Sequence, residues 1–342
     1  MTQDERLDYL VEEFKKDSVR YRNLPVPNNI EDKRRILRSL MNIRMPRRMD
    51  ARVIEVQDQY LKARIRENGI VSLKEIPTVA NQGSKHPFAG MISVWQGDIT
   101  RLEVDAIVNA ANSQMLGCFV PMHTCIDNCI HTFAGVQLRA ECGRQMGLLR
   151  MRFGNDYEQP TAVPMLTDGY NLPAKKVVHI VGPIVERGLT DALERDLADC
   201  YKNTLDLCMQ NGIRSVAFCC ISTGVFRFPN KRAAEIAVQT VTGWLDEHPE
   251  SMDRVIFNVF KDEDKAYYES ELQGSSERIS GIDQQGDQWR PAFQRRHDER
   301  DASPQRSHNP VEIRDRKSRC ARDRSRSRAL HFCGFHLYGG AV

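Results

Sequence analysis

Asp105-Ala106-Ile107-Val108-Asn109-Ala110-Ala111-Asn112 is followed, after five residues, by Cys118-Phe119-Val120-Pro121-Met122-His123-Thr124-Cys125. The first stretch is apolar and short, as a buried strand is, and it ends on two asparagines separated by two alanines. Small residues let a ligand approach the backbone, and each asparagine offers both a donor and an acceptor. A polar loop at the carboxyl end of a strand is where open α/β sheets place ligands. The second stretch gathers two thiols and an imidazole within eight residues. These are donors that Zn²⁺ prefers, and three protein ligands leave a position open for water or substrate. The spacing is not that of a zinc finger, which needs a second ligand pair at longer range. Other ligand sets stay open on residue types alone. Cys125 and Cys129 lie four apart and can share a helix face, and His131 and Cys142 follow closely. Cys129 and His131 read more simply as a core thiol and a satisfied core histidine.

Around this stretch, roughly residues 86–273, strands and helices alternate. Met91–Trp95, Asp105–Asn109, Val177–Val181, Val216–Ile221 and Val255–Phe260 read as strands. Ile126–Leu138, Leu189–Gln210, Lys231–Leu245 and Asp264–Leu272 read as helices. Such alternation predicts an α/β fold, a sheet covered by helices on both faces. Residues 1–85 read differently. Leu7, Leu10, Val11 and Phe14 have helical spacing, Asn29 can cap a second helix bearing Ile36, Leu37, Leu40 and Met41, and a third carries Val53, Val56, Tyr60 and Leu61. A helical extension packed on the main domain is expected, with a separate partner-binding module as the alternative.

Residues 274–342 change character again. Thirteen arginines stand against one lysine there, and Arg322-Asp323-Arg324-Ser325-Arg326-Ser327-Arg328 is of low complexity. Disorder is expected of such a segment. The net charge of +3 hides this division. The tail has 14 basic and 9 acidic residues, leaving 35 basic and 37 acidic in the first 273. The body therefore offers no charge argument for nucleic acid, which only the tail can attract. No apolar run approaches the length of a membrane span. The charged start, Met1-Thr2-Gln3-Asp4-Glu5-Arg6, has no apolar core of a signal peptide. A cytoplasmic protein with reduced thiols is expected, although there are ten cysteines.

Two further loops can carry chemistry. Gly97-Asp98-Ile99-Thr100 follows the first strand, and Asp98 can accept a hydrogen bond from an exocyclic amine. An ordinary turn is the plainer reading of it. Ser222-Thr223-Gly224-Val225-Phe226-Arg227-Phe228-Pro229 joins a strand to a helix, and its amides and hydroxyls suit a diphosphate. Asp127 and Asn128 open the helix after the Cys/His loop, where free amides favour an anion.

Taken in order, Gly97–Thr100, Val108–Asn112, Ile126–Gly135 and Ser222–Gly224 with Phe226 and Pro229 resemble the macrodomain family, which binds ADP-ribose. The resemblance covers roughly residues 90–270. It implies a three-layer α/β/α fold with a mixed central sheet. Most family members carry a run of glycines where this chain has Gly117 through Cys125. That departure resembles the zinc-containing protein-ADP-ribose hydrolase branch, which also has a helical N-terminal extension. The resemblance implies one Zn²⁺ on Cys118, His123 and Cys125. It implies adenine recognition by Asp98 and Ile99, and distal-ribose contact by Asn112. Cys125, Ile126 and Asp127 would line the ribose and phosphate side, and Ser222, Thr223, Gly224, Val225 and Phe226 would wrap the diphosphate. Asn112 and Asp127 are the catalytic candidates. The implied activity is hydrolytic release of mono-ADP-ribose from modified protein side chains by a monomer. A non-catalytic ADP-ribose reader and an O-acetyl-ADP-ribose deacetylase are the alternatives.

Overall fold

The computed structural model describes residues 1–273; the tail from Gly274, with the disorder expected of it and with Cys320 and Cys333, lies outside the described residues. Three helices come first: α1 (Gln3–Lys15), α2 (Ile30–Ile43) and α3 (Ala51–Asn68). Each starts on a capping side chain. Thr2 and Glu5 form a reciprocal capping box, Asn29 accepts from the amides of Glu31 and Asp32, and Asp50 accepts from Arg52. Such caps satisfy amides that have no intrahelical acceptor, each worth about 1 kcal/mol. Gly69 ends α3 at φ 84°, a left-handed conformation that costs glycine little. The apolar stripes meet in a cluster of their own: Leu7, Leu10 and Phe14 against Leu37, Leu40 and Met41, with Val53, Val56 and Tyr60. Val136, from a later helix, completes this cluster, so the extension is joined to the rest by apolar packing.

The main body has eight strands. A small parallel pair joins β1 (Val71–Ser72) to β3 (Leu102–Glu103). The principal sheet contains β2 (Ile92–Gln96), β4 (Ala106–Ala111), β5 (Met165–Asp168), β6 (Lys176–Val181), β7 (Ser215–Phe218) and β8 (Arg254–Val259), in the order β2-β8-β7-β4-β6-β5. All its neighbours run parallel except β5, which pairs antiparallel with β6 at one edge. The sheet is therefore mixed. β4, β6, β7 and β8 are buried along almost their whole length, as strands covered on both faces must be. The covering helices are α4 (Ile126–Ala134), α5 (Val136–Phe153), α6 (Asp191–Gln210), α7 (Asn230–Glu247) and α8 (Asp262–Leu272). This is the α/β/α architecture expected from the alternation.

Two departures have physical causes. The helix expected over Ile126–Leu138 is two helices, broken at Gly135 with φ 97°. A Cβ at Gly135 would come within 2.7 Å of the Gln57 side chain from α3, so the close approach of the extension demands glycine there. The edge strand β5 is not readable in advance, because four residues show too little alternation to mark a strand. Among the described residues no helix is long and apolar enough to cross a membrane.

Candidate functional site

The carboxyl end of β4 delivers the chain to Asn112, and the loop that follows returns to the start of α4 beside it. Met115, Gly117 and Met122 take positive φ values of 58°, 81° and 60°, which turn the loop back on itself. Gly117 has no alternative: an added Cβ would lie 2.8 Å from the His131 ring. Folded this way, Cys118, His123 and Cys125 bring their donor atoms within 4.8 Å of one another, all three half-buried. Cys118 Sγ lies 3.6 Å from His123 Nδ1. Zinc bonded at about 2.3 Å to sulfur and about 2.0 Å to nitrogen would set two tetrahedral donors roughly 3.5 Å apart. The three residues fit that ion in donor type, separation and accessibility. Cys125 also caps α4, its sulfur accepting from the Asn128 amide at 3.4 Å. Burial pushes its thiol up to about 12, with Asn128 opposing.

Asp127 is turned inward, with only 5% of its surface exposed. Asn109 Nδ2 donates to Asp127 Oδ1 at 2.7 Å, and also contacts His179 Nδ1 at 3.0 Å. An amide nitrogen can only donate, so His179 Nδ1 accepts and its Nε2 carries the proton, facing Thr167 Oγ1 at 2.9 Å. Burial raises the Asp127 carboxyl to about 6, against the opposing Asn109 hydrogen bond and the charge of Arg139. His131 Nε2 stands 3.5 Å from Asp127 Oδ1, yet neither ring nitrogen has a hydrogen-bond partner. At that separation the pair makes no hydrogen bond. His131 is thus buried as expected but not satisfied. Burial holds both histidines well below the ordinary imidazole value, His179 at about 3. Cys129 stays apart from both groups, half-buried with the Arg38 guanidinium 3.7 Å from its sulfur.

Asp98 binds Thr100 through one oxygen only, at 2.9 Å to the amide and 2.7 Å to the hydroxyl. Its other oxygen is left for an outside donor, while Ile99 is buried behind it. Asn112 uses Oδ1 on Gln114 and reaches the Gly117 carbonyl at 3.4 Å, a weak contact that leaves donor capacity. The amides of Ile126 and Asp127 are the first two of α4 and have no acceptor within the helix. The loop after β7 closes on its own backbone: Arg227 donates to Gly224 at 3.0 Å and Phe228 to Ser222 at 3.0 Å. Ser222 sits at φ 65° with its hydroxyl buried, unpaired and against Gly182. Strain of this kind costs about 1–3 kcal/mol and tends to collect at ligand sites. Gly224 and Val225 are exposed, with Thr223 and Phe226 half-buried beside them. Arg38, Asn42 and Arg139 have no place in the site read from sequence, although all three hold the loop backbone, whereas Asn109 and His131 enter it as a strand-end asparagine and an alternative ligand without their link to Asp127.

These features define an α/β/α protein with its candidate ligand groups on loops after strands β2, β4 and β7 of a mixed sheet. A model of the macro domain family matches residues 108–237. The chain is 46% identical over 268 residues to a protein-ADP-ribose hydrolase of Treponema medium, covering 78% of this chain and 98% of that protein. It is 40% identical over 273 residues to a protein of the same name from Staphylococcus aureus strain MRSA252, covering 80% and 97%. Among solved structures it is similar to the Trypanosoma brucei macrodomain in complex with ADP, with a TM-score of 0.52 and 28% identity over 70% of this chain and 96% of that one. The same macrodomain in complex with ADP-ribose gives a TM-score of 0.51 at 28% identity, covering 68% and 94%. The chain belongs to the macrodomain family.

Proposed function

We propose that this protein is a zinc-dependent hydrolase that releases mono-ADP-ribose from modified protein side chains. The observation that carries the proposal is the Cys118/His123/Cys125 donor set, held within bonding separation in the loop between Asn112 and α4. A pure binding module needs the crevice but not those donors. Two relatives named protein-ADP-ribose hydrolase, matched over nearly their full length, support the hydrolase part of this reading.

In this reading Asp98 takes the adenine amine on its free oxygen, with the neighbouring Ile99 backbone beside it. The Ser222–Phe226 loop, exposed at Gly224 and Val225, and the first amides of α4, at Ile126 and Asp127, receive the diphosphate. Asn112 orients the distal ribose with its remaining donor capacity, and so places C1″ beside the Cys/His loop. Cys118, His123 and Cys125 would hold zinc, which supplies Lewis-acid polarisation when bound. Asn109 fixes the Asp127 carboxylate, which takes a proton from the attacking water or from a ribose hydroxyl. Ester links to Asp or Glu side chains are the favoured substrates, because a carboxylate leaves more readily than a guanidine. The test is release of ADP-ribose from a mono-ADP-ribosylated protein by the full chain, before and after metal chelation. Activity lost on chelation and restored by zinc alone supports the proposal; full turnover by metal-free protein sinks it.

A further inference from the structure

The loop from Leu116 to Cys125 has no regular structure, yet side chains from two other elements hold its backbone. Arg38 of α2 donates Nη2 to the His123 carbonyl at 2.8 Å and to Asn128 Oδ1 at 3.0 Å. One turn on, Asn42 accepts from the Met122 amide at 3.0 Å and donates to Thr132 Oγ1 at 3.0 Å. Arg139 of α5 gives Nε to the Leu116 carbonyl at 2.7 Å and Nη2 to the Cys118 carbonyl at 3.2 Å. Its third nitrogen reaches back to the carbonyls of Asn42 and Arg44 at 2.6 and 2.7 Å, where α2 ends. The same guanidinium lies 4.2 Å from the Phe119 ring centre.

Asn42 and Arg139 are 2% and 5% exposed, and such buried polar groups are costly unless partnered. Here the partners are largely the backbone of the candidate metal loop and of the end of α2. The carbonyl of one donor residue, Cys118, is among them through Arg139, and that of a second, His123, is held by the half-buried Arg38. Asn42 also fixes Met122, whose positive φ of 60° turns the chain between Pro121 and His123.

We propose that α2 is a working part of the metal site. Arg38 and Asn42 are positioning residues that, linked through Arg139, set Cys118 and His123 at ligand separation before any metal arrives. The N-terminal helices are then a frame for the metal loop, not an independent module. This inference rests on the zinc reading above. Supporting groups behind metal ligands typically change affinity 10- to 100-fold when removed, because the ligands must then be ordered at the moment of binding.

The test uses the full chain, stripped of metal and titrated with Zn²⁺ against a chromophoric chelator, with the visible spectrum of the Co²⁺ form as a second readout. Arg38→Met and Asn42→Ala are each expected to weaken zinc binding about 10- to 100-fold and to shift the Co²⁺ bands, while unfolding stays cooperative. Arg38 is only half-buried, so its variant remains informative if Asn42→Ala folds poorly. Arg38→Lys, which keeps one donor for the His123 carbonyl, is expected to recover part of the affinity; a merely structural role gives no such graded return. Cys118→Ala separates the two claims. If wild type binds no more zinc than Cys118→Ala, the zinc reading fails and takes this inference with it. If wild type binds one zinc tightly and both α2 variants match it in affinity and Co²⁺ spectrum, the zinc reading stands and the positioning role is wrong.

Discussion

Among the described residues, two groups of cysteine and histidine bring their donor atoms within 4.8 Å: Cys118, His123 and Cys125, and also His131, Cys142 and His179. By composition they are near mirror images. Their surroundings separate them. The first group is half-exposed, and the contact its histidine makes is to Cys118 within the group. The second is fully buried, and His179 has both nitrogens engaged, Nδ1 with Asn109 and Nε2 with Thr167. A metal needs a ring lone pair, and the only one His179 has is taken. Proximity of donors is thus a poor sign of a metal site; free lone pairs and access decide it. The buried group serves packing and the orientation of Asp127 instead.

That contrast can be broken by mutation, most severely at the exposed group. Cys118→Ala or His123→Ala should lower ADP-ribose release about 10³-fold, since a Lewis acid supplies several kcal/mol to the transition state. The metal-free melting temperature should barely move, because both side chains are half-exposed. In the buried group His179→Gln should leave zinc stoichiometry unchanged and cost about 1–3 kcal/mol in denaturant unfolding, from the disturbed Asn109 and Thr167 bonds. Loss of zinc from that variant would mean the two groups are not separate.

The pH dependence sharpens the same point. The His179 value falls from 6.5 unfolded to about 3 folded, because burial disfavours the cation. Below pH 6.5 the unfolded chain binds a proton that the folded one refuses, so this group lowers stability as pH falls towards 3. The advantage of wild type over His179→Gln should shrink by about 1.4 kcal/mol per pH unit between pH 6 and 4. A gap that held constant would show that His179 is protonated in the fold. Smallest of all, Cys142→Ala should cost about 1 kcal/mol, a sulfur's worth of packing, with metal content unaltered.

How much of this was legible beforehand differs between the fold and the site. The α/β alternation, a sheet covered on both faces and the capping of α2 by Asn29 follow from local pattern, which each residue carries in its neighbours, whereas the mixed sheet was implied only by the family resemblance, since its antiparallel strand β5 leaves no pattern. The Cys/His loop was equally visible, since its donors lie within eight residues. What could not be read was long-range. Arg38 meets His123 across 85 positions, Asn42 meets Met122 across 80, and Asn109 meets His179 across 70. His131 illustrates the limit best. Its burial follows from sequence, but only the fold shows Gly117 beneath its ring and Asp127 beside it, with no hydrogen bond to either nitrogen.

In the function proposed above, the half-buried Cys/His donor set is what makes this macrodomain an enzyme. The most direct measurement is zinc content and ADP-ribose release on the same preparation of the full chain, wild type beside Cys118→Ala. One zinc per wild-type chain is expected, with loss of both metal and release in the variant. Equal release from the two proteins, with or without zinc, would contradict it.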